Sequence, residues 1–271
     1  MLVIKSILLL CSAAVVLART NIQAVVSDAI FVGENTVDDS ASPLEIFSDS
    51  KNHAEVVSSV LVFSADRANF QPASQPAKSL ALNLREFIEK ASTFPGFIME
   101  RSEQESLPLN GSLTQFEKVV REAGIAQPHQ ALVARSLRDM IPGYIVNEDV
   151  DEWKLSLIVI DKPKGADVAY VNFVRVDVSI DADKTGTTFI PEQAAGVSSV
   201  VIRTNLSYLV EYAEKLSSLI PITNVRDALV FFASPKVESD PADSNETSCH
   251  KNPLAFVNQG QRSLYNWKNG N

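Results

Sequence analysis

Apolar residues in the first half of the chain recur every three or four positions, which is the spacing of amphipathic helices. Proline or glycine follows each of these stretches and predicts where it ends. The predicted helices cover residues 54–70, 80–91, 112–124 and 128–141. Ahead of them, Ser42-Pro43-Leu44-Glu45 has the pattern of a helix start, with a capping serine and a proline at the first helical position. The β-branched content of 56–63 leaves a strand as an alternative there.

Two further features interrupt this helical half. A short apolar run, Ala29 to Val32, is closed by Gly33 and predicts a strand. The polar stretch from Arg101 to Gly111 predicts a loop between the second and third helices.

The second half of the chain changes to a period of two, which is typical of strands. Strands are predicted at 153–161, 168–180 and 197–206, with a turn at Pro163-Lys164-Gly165 between the first two. A helix is predicted at 208–219, a final strand at 227–233, and a polar tail from Pro235 onward. This order of elements predicts an α/β domain over residues 19–234, followed by a tail at 235–271.

The strand at 168–180 is unusually long and one-sided. Its apolar face contains Val168, Tyr170, Val174, Val176, Val178 and Ile180, with Asn172 as the exception. The other face carries Arg175, Asp177, Ser179 and Asp181 near its end. A strand of this length and alternation fits either a core strand beneath helices or a strand that spans a membrane.

Residues 1–18 predict a secretory signal peptide, because Lys5 is followed by a short apolar run and by the small residue Ala18. We therefore expect a secreted, extracellular protein. Cys11 leaves with this peptide, so Cys249 alone remains and no internal disulfide is possible. The triplets at Asn110, Asn205 and Asn245 are candidate glycosylation sites.

Composition excludes some partners. Apolar residues make up 45% of the chain and charged residues 21%, which is ordinary for a globular protein. The net charge of -9 argues against nucleic acid and against a purely electrostatic attraction to anionic lipid.

A search for catalytic and metal-binding motifs finds no local pattern that supports an enzyme. His53, His129 and His250 lie far apart in the sequence and predict no metal site, and no cofactor is expected. Acidic groups that leave calcium binding open are Asp38-Asp39, Asp149 with Asp151-Glu152, and Asp181 with Asp183, although solvated turns explain them more simply.

The chain resembles the Cyt-type δ-endotoxins and the related volvatoxin-like pore-forming cytolysins. Residues 54–70 followed by Gln-Pro-Ala-Ser74 are similar to the early helix of that family. Residues 155–161, the turn at Gly165 and residues 168–180 resemble its central hairpin. Thr187-Thr-Phe-Ile-Pro191 and residues 197–206 resemble its closing strands.

This resemblance implies a single-domain helix-sheet-helix (α-β-α) sandwich with long antiparallel strands. It also implies a soluble form whose covering helices are released at a lipid surface, after which the protein inserts, oligomerises and forms pores. The apolar face of the strand at 168–180 is then the candidate for membrane insertion.

Two other classes of function remain open. One is a secreted effector or binding module, for example one like a protease inhibitor, with an ordinary α/β core. The other is a secreted hydrolase with a dispersed site, which no motif supports.

Overall fold

The computed structural model describes residues 23–33, 42–108, 117–118, 121, 129–140, 150, 152–179 and 194–235. Its centre is a five-stranded sheet. The strands are β1 (Gln23–Gly33), β2 (Phe97–Pro108), β3 (Glu152–Lys162), β4 (Tyr170–Ser179) and β5 (Ala194–Thr204). The helices are α1 (Pro43–Ser48), α2 (His53–Arg67), α3 (Ala77–Ser92), α4 (Gln130–Met140), α5 (Leu206–Glu211), α6 (Ala213–Leu219) and α7 (Val225–Phe232), with one 3-10 turn at Ser50–Asn52.

The strands lie in the order β1-β3-β4-β5-β2, so β4 is at the centre of the sheet. Pairs β3·β4, β4·β5 and β2·β5 are antiparallel, whereas β1 pairs parallel with β3. At the β1 edge, the backbone N–H of Ser27 donates to Ser234 Oγ over 3.0 Å, and the N–H of Ser234 donates to the Ser27 carbonyl over 2.8 Å. Ser234 therefore covers part of an edge that could otherwise pair with another strand.

One side of the sheet, here called the first face, packs under a layer that includes α1 to α3 and α5 to α7. Its core joins Val171 and Phe173 of β4 to the buried helix α2 and to the aromatic side chains of α3 and α7. The ring of Phe87 is stacked on those of Phe70 and Phe232, with centroids 5.1 Å and 5.4 Å apart. This layer is thus tied together across several elements.

The opposite side, here called the second face, packs under α4. The apolar stripe of α4 meets the side chains that alternate with those of the first face along β1, β3 and β4. The members from α4 are Val133, Ala134, Leu137 and Met140. Because helices cover both faces of a sheet of long strands, the predicted α/β sandwich class is confirmed, with one parallel pair added.

The predicted helix start at Ser42 is confirmed in detail. Ser42 Oγ accepts from the N–H of Glu45 over 3.4 Å, the Glu45 carboxylate accepts from the N–H of Ser42 over 2.6 Å, and Pro43 opens α1. The first apolar segment is a helix, α2, rather than a strand. Asn69 ends it with a φ of 52°, and the N–H of Phe70 bonds back to the Ala65 carbonyl over 2.9 Å.

Two sequence predictions are wrong. The stretch from Arg101 to Pro108 belongs to the edge strand β2, because pairing with β5 satisfies its backbone while its polar side chains suit an edge. The apolar run at 227–233 is part of α7, because Asn224 caps a helix there and Val225, Ala228 and Phe232 are buried at helical spacing.

Other boundaries differ in smaller ways. The predicted strand at 168–180 begins at Tyr170, and the predicted helix at 208–219 is divided into α5 and α6 at Tyr212. Predictions for the signal peptide, most of the helix at 112–124 and the tail beyond Pro235 lie outside the described residues. Within the described ranges, no helix has the length and apolar character needed to cross a bilayer.

Candidate functional site

The candidate site is the hairpin of β3 and β4, hereafter the central hairpin. Its strands are in continuous antiparallel register from the pair Asp161 and Tyr170 to the pair Glu152 and Ser179. The turn between them contains Gly165 with a φ of 69°, a conformation that glycine adopts without strain. The sequence therefore placed this turn correctly.

The second face of the central hairpin is a nearly continuous apolar surface. It contains Leu155, Leu157 and Val159 of β3 and Val174 and Val176 of β4, all of them buried. Asn172 lies on the same face and is also buried.

Aromatic residues lie at the two ends of this face. Trp153 is near one end and Tyr170 is at the other, paired in register with Asp161. Eight residue steps separate Trp153 from Asp161, which is about 27 Å at 3.4 Å per residue. The outward-facing apolar band of a membrane β-barrel is about 25 Å tall and is flanked by aromatic residues at both interfaces.

The first face of the central hairpin is apolar near the turn and polar near the open end. Ile158, Ile160, Val171 and Phe173 occupy the apolar half. The polar half contains Lys154, Ser156, Arg175 and Asp177, which the register brings side by side.

Hydrogen bonds and an ion pair organise this polar half. Arg175 Nε lies 3.1 Å from Asp177 Oδ1, and Lys154 Nζ donates to Gln23 Oε1 over 2.7 Å. Gln23 in turn donates to the Glu152 carboxylate. Burial raises the pKa of Asp177, while the cationic charges of Arg175 and Lys154 oppose that rise.

The six residues of the predicted apolar face differ in their positions in the structure. Tyr170, Val174 and Val176 share the second face, and Val174 and Val176 are buried in the apolar cluster that also contains the side chains of α4. Val178 lies on β4 opposite Trp153. Val168 is half-buried and precedes the strand rather than belonging to it, and Ile180 lies outside the described residues.

Sequence analysis missed one property of this strand. It treated β4 as one-sided, whereas Val171 and Phe173 are buried on the first face as well. In the sequence, Val171 and Phe173 are apolar and alternate with the second-face residues of 170–174. Apolar residues at alternating and intervening positions are typical of a strand buried on both faces.

The candidate glycosylation sites fall in different parts of the chain. Asn205 lies just after β5, where its Oδ1 accepts from the N–H of Tyr208 over 3.2 Å and caps α5. Asn110 and Asn245 lie outside the described residues. Glycosylation at all three positions stays a prediction.

The part of the chain that the structure describes contains no group of three histidine, cysteine, aspartate or glutamate side chains arranged to hold a metal ion. A depression of about 430 Å³ on α5 and α6 is open to solvent and lined by exposed side chains such as Glu211 and Lys215. That the protein is not an enzyme stays a prediction, as do its secretion and its membrane partner.

Comparison with known proteins gives limited similarity. No protein-family model matches the chain, and no curated protein matches its sequence. Similar solved structures include the following three. A δ-endotoxin has 11% identity and a TM-score of 0.42, covering 86% of this chain and 96% of its own. The activated Cyt2Ba monomer from Bacillus thuringiensis subsp. israelensis has 11% identity and a TM-score of 0.38, covering 65% and 95%. The Evf virulence factor has 12% identity and a TM-score of 0.40, covering 80% and 82%.

Proposed function

We propose that this protein is a secreted cytolysin that inserts its central hairpin into target membranes and forms oligomeric pores. The observation that carries the proposal is the second face of the central hairpin, where an apolar band ends in Trp153 and Tyr170. The distance of about 27 Å between these two aromatic ends matches the thickness that a membrane strand must cross, and the polar side chains on this face, Asn172 and Asp161, lie near the turn. Insertion exchanges protein contacts for lipid contacts along this face.

The two helical layers differ in how firmly they cover the sheet. Among the described elements, α4 contacts chiefly β1 and β3, and its main buried side chains on the second face are Val133, Leu137 and Met140. Each such side chain contributes about 1.5–3 kcal/mol when buried. When the hairpin side chains move from contact with α4 to contact with lipid, they remain out of water and keep most of that free energy. Release of α4 therefore costs less than release of the helical layer on the first face.

Backbone pairing explains why the pore must be oligomeric. An inserted hairpin leaves its ladders with β1 and β5, and unpaired backbone groups are not tolerated in lipid. One hairpin contributes two strands, whereas the smallest membrane barrels have about eight. Strands of neighbouring copies therefore supply the backbone hydrogen bonds that the two edges of the hairpin have lost. In that assembly Arg175 and Asp177 face the aqueous lumen while Val174 and Val176 face lipid.

Cysteine accessibility tests this arrangement with small side chains. Four single-cysteine variants at positions 174, 175, 176 and 177, made in a Cys249→Ser background, are mixed with dye-loaded lipid vesicles. We expect dye release. We also expect a membrane-impermeant thiol reagent to modify positions 175 and 177 and to leave 174 and 176 unmodified. Leu82→Cys is the control, because Leu82 is 87% exposed on α3 and reacts in either state.

Light proteolysis before mixing tests whether release of a covering segment activates the protein. Uniform protection of all four positions, together with intact vesicles under both conditions, would contradict the pore-forming proposal.

The alternative is a secreted effector or binding module without membrane activity. One observation favours it: Ile98 and Met99 on the edge strand β2 are 40% and 50% exposed. Intact vesicles in the experiment above, combined with loss of a binding partner on Met99→Lys, would support this alternative.

A further inference from the structure

His53 is a buried imidazole in an unusual position. It is the first residue of α2 and only 1% exposed, and neither of its ring nitrogens has a hydrogen-bond partner within the described residues. Most buried polar groups are hydrogen-bonded, so an unsatisfied imidazole requires an explanation. Protonation of a ring this deeply buried loses the solvation of the imidazolium without a hydrogen bond from the described residues to replace it.

The surroundings of His53 add to that cost. His53 belongs to the first turn of α2, where the positive end of the helix dipole disfavours an added positive charge. Helix α2 packs against β3, whose last residue is Lys162. Lys162 Nζ donates to the Ala166 carbonyl in the turn of the central hairpin. The charge of Lys162 lowers the pKa of His53, so a proton on His53 adds a second positive charge within electrostatic reach of Lys162.

We infer that His53 is an acid-sensitive latch, which keeps α2 packed against β3 of the central hairpin when neutral and loosens that packing when protonated. The role of this latch as a trigger for membrane insertion rests on the proposed function. The conformational change itself is independent of that function.

The direction of the effect follows from the charges that face His53. Burial, and then the charge of Lys162, lowers its pKa from 6.5 to about 4, while Asp167 in the hairpin turn and Asp49 after α1 oppose this. Glu55, two residues further on in α2, is also buried.

The closed state therefore binds fewer protons than an opened state in which the imidazole is solvated. Acidification from pH 6.5 to pH 4 favours opening, and between pH 7 and pH 5 the opening constant rises about twenty-fold.

Other buried acids act in the opposite sense. Burial raises the pKa values of Asp161 and Asp177, so acidification stabilises the closed state through these two groups. The contribution of His53 is consequently seen in the difference between wild type and a variant, not in the wild type alone.

Hydrogen exchange measures that difference. Protection factors of Ile160 and Val171 amides in the full-length protein are compared at pH 7 and pH 5, after correction for the pH dependence of intrinsic exchange. We expect the ratio of the two protection factors to be about twenty-fold larger in wild type than in His53→Gln. His53→Leu provides a second variant that cannot titrate.

Equal ratios in wild type and both His53 variants would overturn the latch. Vesicles of phosphatidylcholine separate this result from the proposed function. Exchange that depends on His53, with vesicles intact at both pH values, supports the latch and contradicts pore formation. Leakage at both pH values with equal exchange ratios supports pore formation and overturns the latch.

Discussion

Phe173 on β4 meets Phe87 on α3 edge to face, with ring centroids 5.4 Å apart and ring planes at 86°. Edge-to-face aromatic pairs contribute about 0.5–1.5 kcal/mol beyond the burial of their surface. Phe87 is also stacked on Phe70 and Phe232, so one side chain connects the central hairpin with the ends of α2 and α7. The first face is therefore held by an aromatic centre that has no counterpart among the described residues of the second face.

Removal of this aromatic centre should strongly destabilise the fold. Phe87→Ala is expected to lower the free energy of unfolding by about 3–5 kcal/mol, because it leaves a cavity among three rings. Leu82→Ala is the matched control on the same helix, since Leu82 is 87% exposed, and should change it by less than about 0.5 kcal/mol. Urea unfolding followed by circular dichroism measures both. Equal effects of the two changes would contradict the packing described here.

Asn205 combines a helix cap with a candidate glycosylation site, and two substitutions separate these roles. Asn205→Asp keeps an oxygen for the N–H of Tyr208 and removes the glycan acceptor, so stability should be nearly unchanged. Asn205→Ala removes both and should cost about 1 kcal/mol. Urea unfolding of unglycosylated protein measures the cap. Mass spectrometry of the secreted protein measures the glycan, and an unmodified Asn205 would contradict the sequence prediction.

Asp161 should make the protein less stable at neutral pH than at acid pH. Burial raises the pKa of this carboxyl above its unfolded value, although the charge of His129 opposes the rise. A carboxyl whose pKa is higher in the folded state than in the unfolded state stabilises the fold at pH values below its unfolded pKa. This stabilisation is lost as the pH rises through the pKa of the folded state.

Asp161→Asn should therefore increase the free energy of unfolding at pH 7 and flatten its rise towards pH 4. Unfolding curves at both pH values provide the test, with the exposed Asp66→Asn as control. A lower stability of Asp161→Asn at pH 7 would show that the carboxylate is satisfied by its surroundings.

Gly33 and Gly165 both have positive φ but differ in their surroundings. A Cβ added at Gly33, where φ is 139°, would lie 2.3 Å from the Lys162 carbonyl oxygen, whereas one added at Gly165, where φ is 69°, meets open space. Gly165→Ala should therefore cost only the backbone strain of about 1–2 kcal/mol. Gly33→Ala should cost more and should loosen the end of β3. Thermal unfolding of the two variants compares them, and equal midpoints would argue against close approach at Gly33.

Local signals predicted several elements well. The capping residues at Ser42 and the helical spacing in α3 and α4 act within a few residues. Their effect on local structure therefore does not depend on distant parts of the chain. The run at 227–233 fits a strand and a buried helix equally well. Its cap at Asn224 was the local signal that distinguishes the two.

The strand character of β2 could not be predicted from its own residues. Arg101 and Glu103 have low strand preference, and only pairing with β5, about a hundred residues later, makes the segment a strand. The parallel pairing of β1 with β3 likewise joins residues that are distant in sequence. Such pairings depend on the closure of long loops and on the other strands present.

The sequence by itself determined which residues of β4 share a face, because side chains alternate along any extended backbone. It also determined the turn at Gly165 and the apolar character of the second face. The tertiary structure decided what covers each face and that Val171 and Phe173 are as buried as Val174 and Val176. It also decided that His53 is buried without a hydrogen bond to the described residues, and that the charge of Lys162 acts on its pKa. The physical reason is that alternation depends on neighbouring residues in the backbone, whereas burial and pKa depend on atoms brought together from distant parts of the chain.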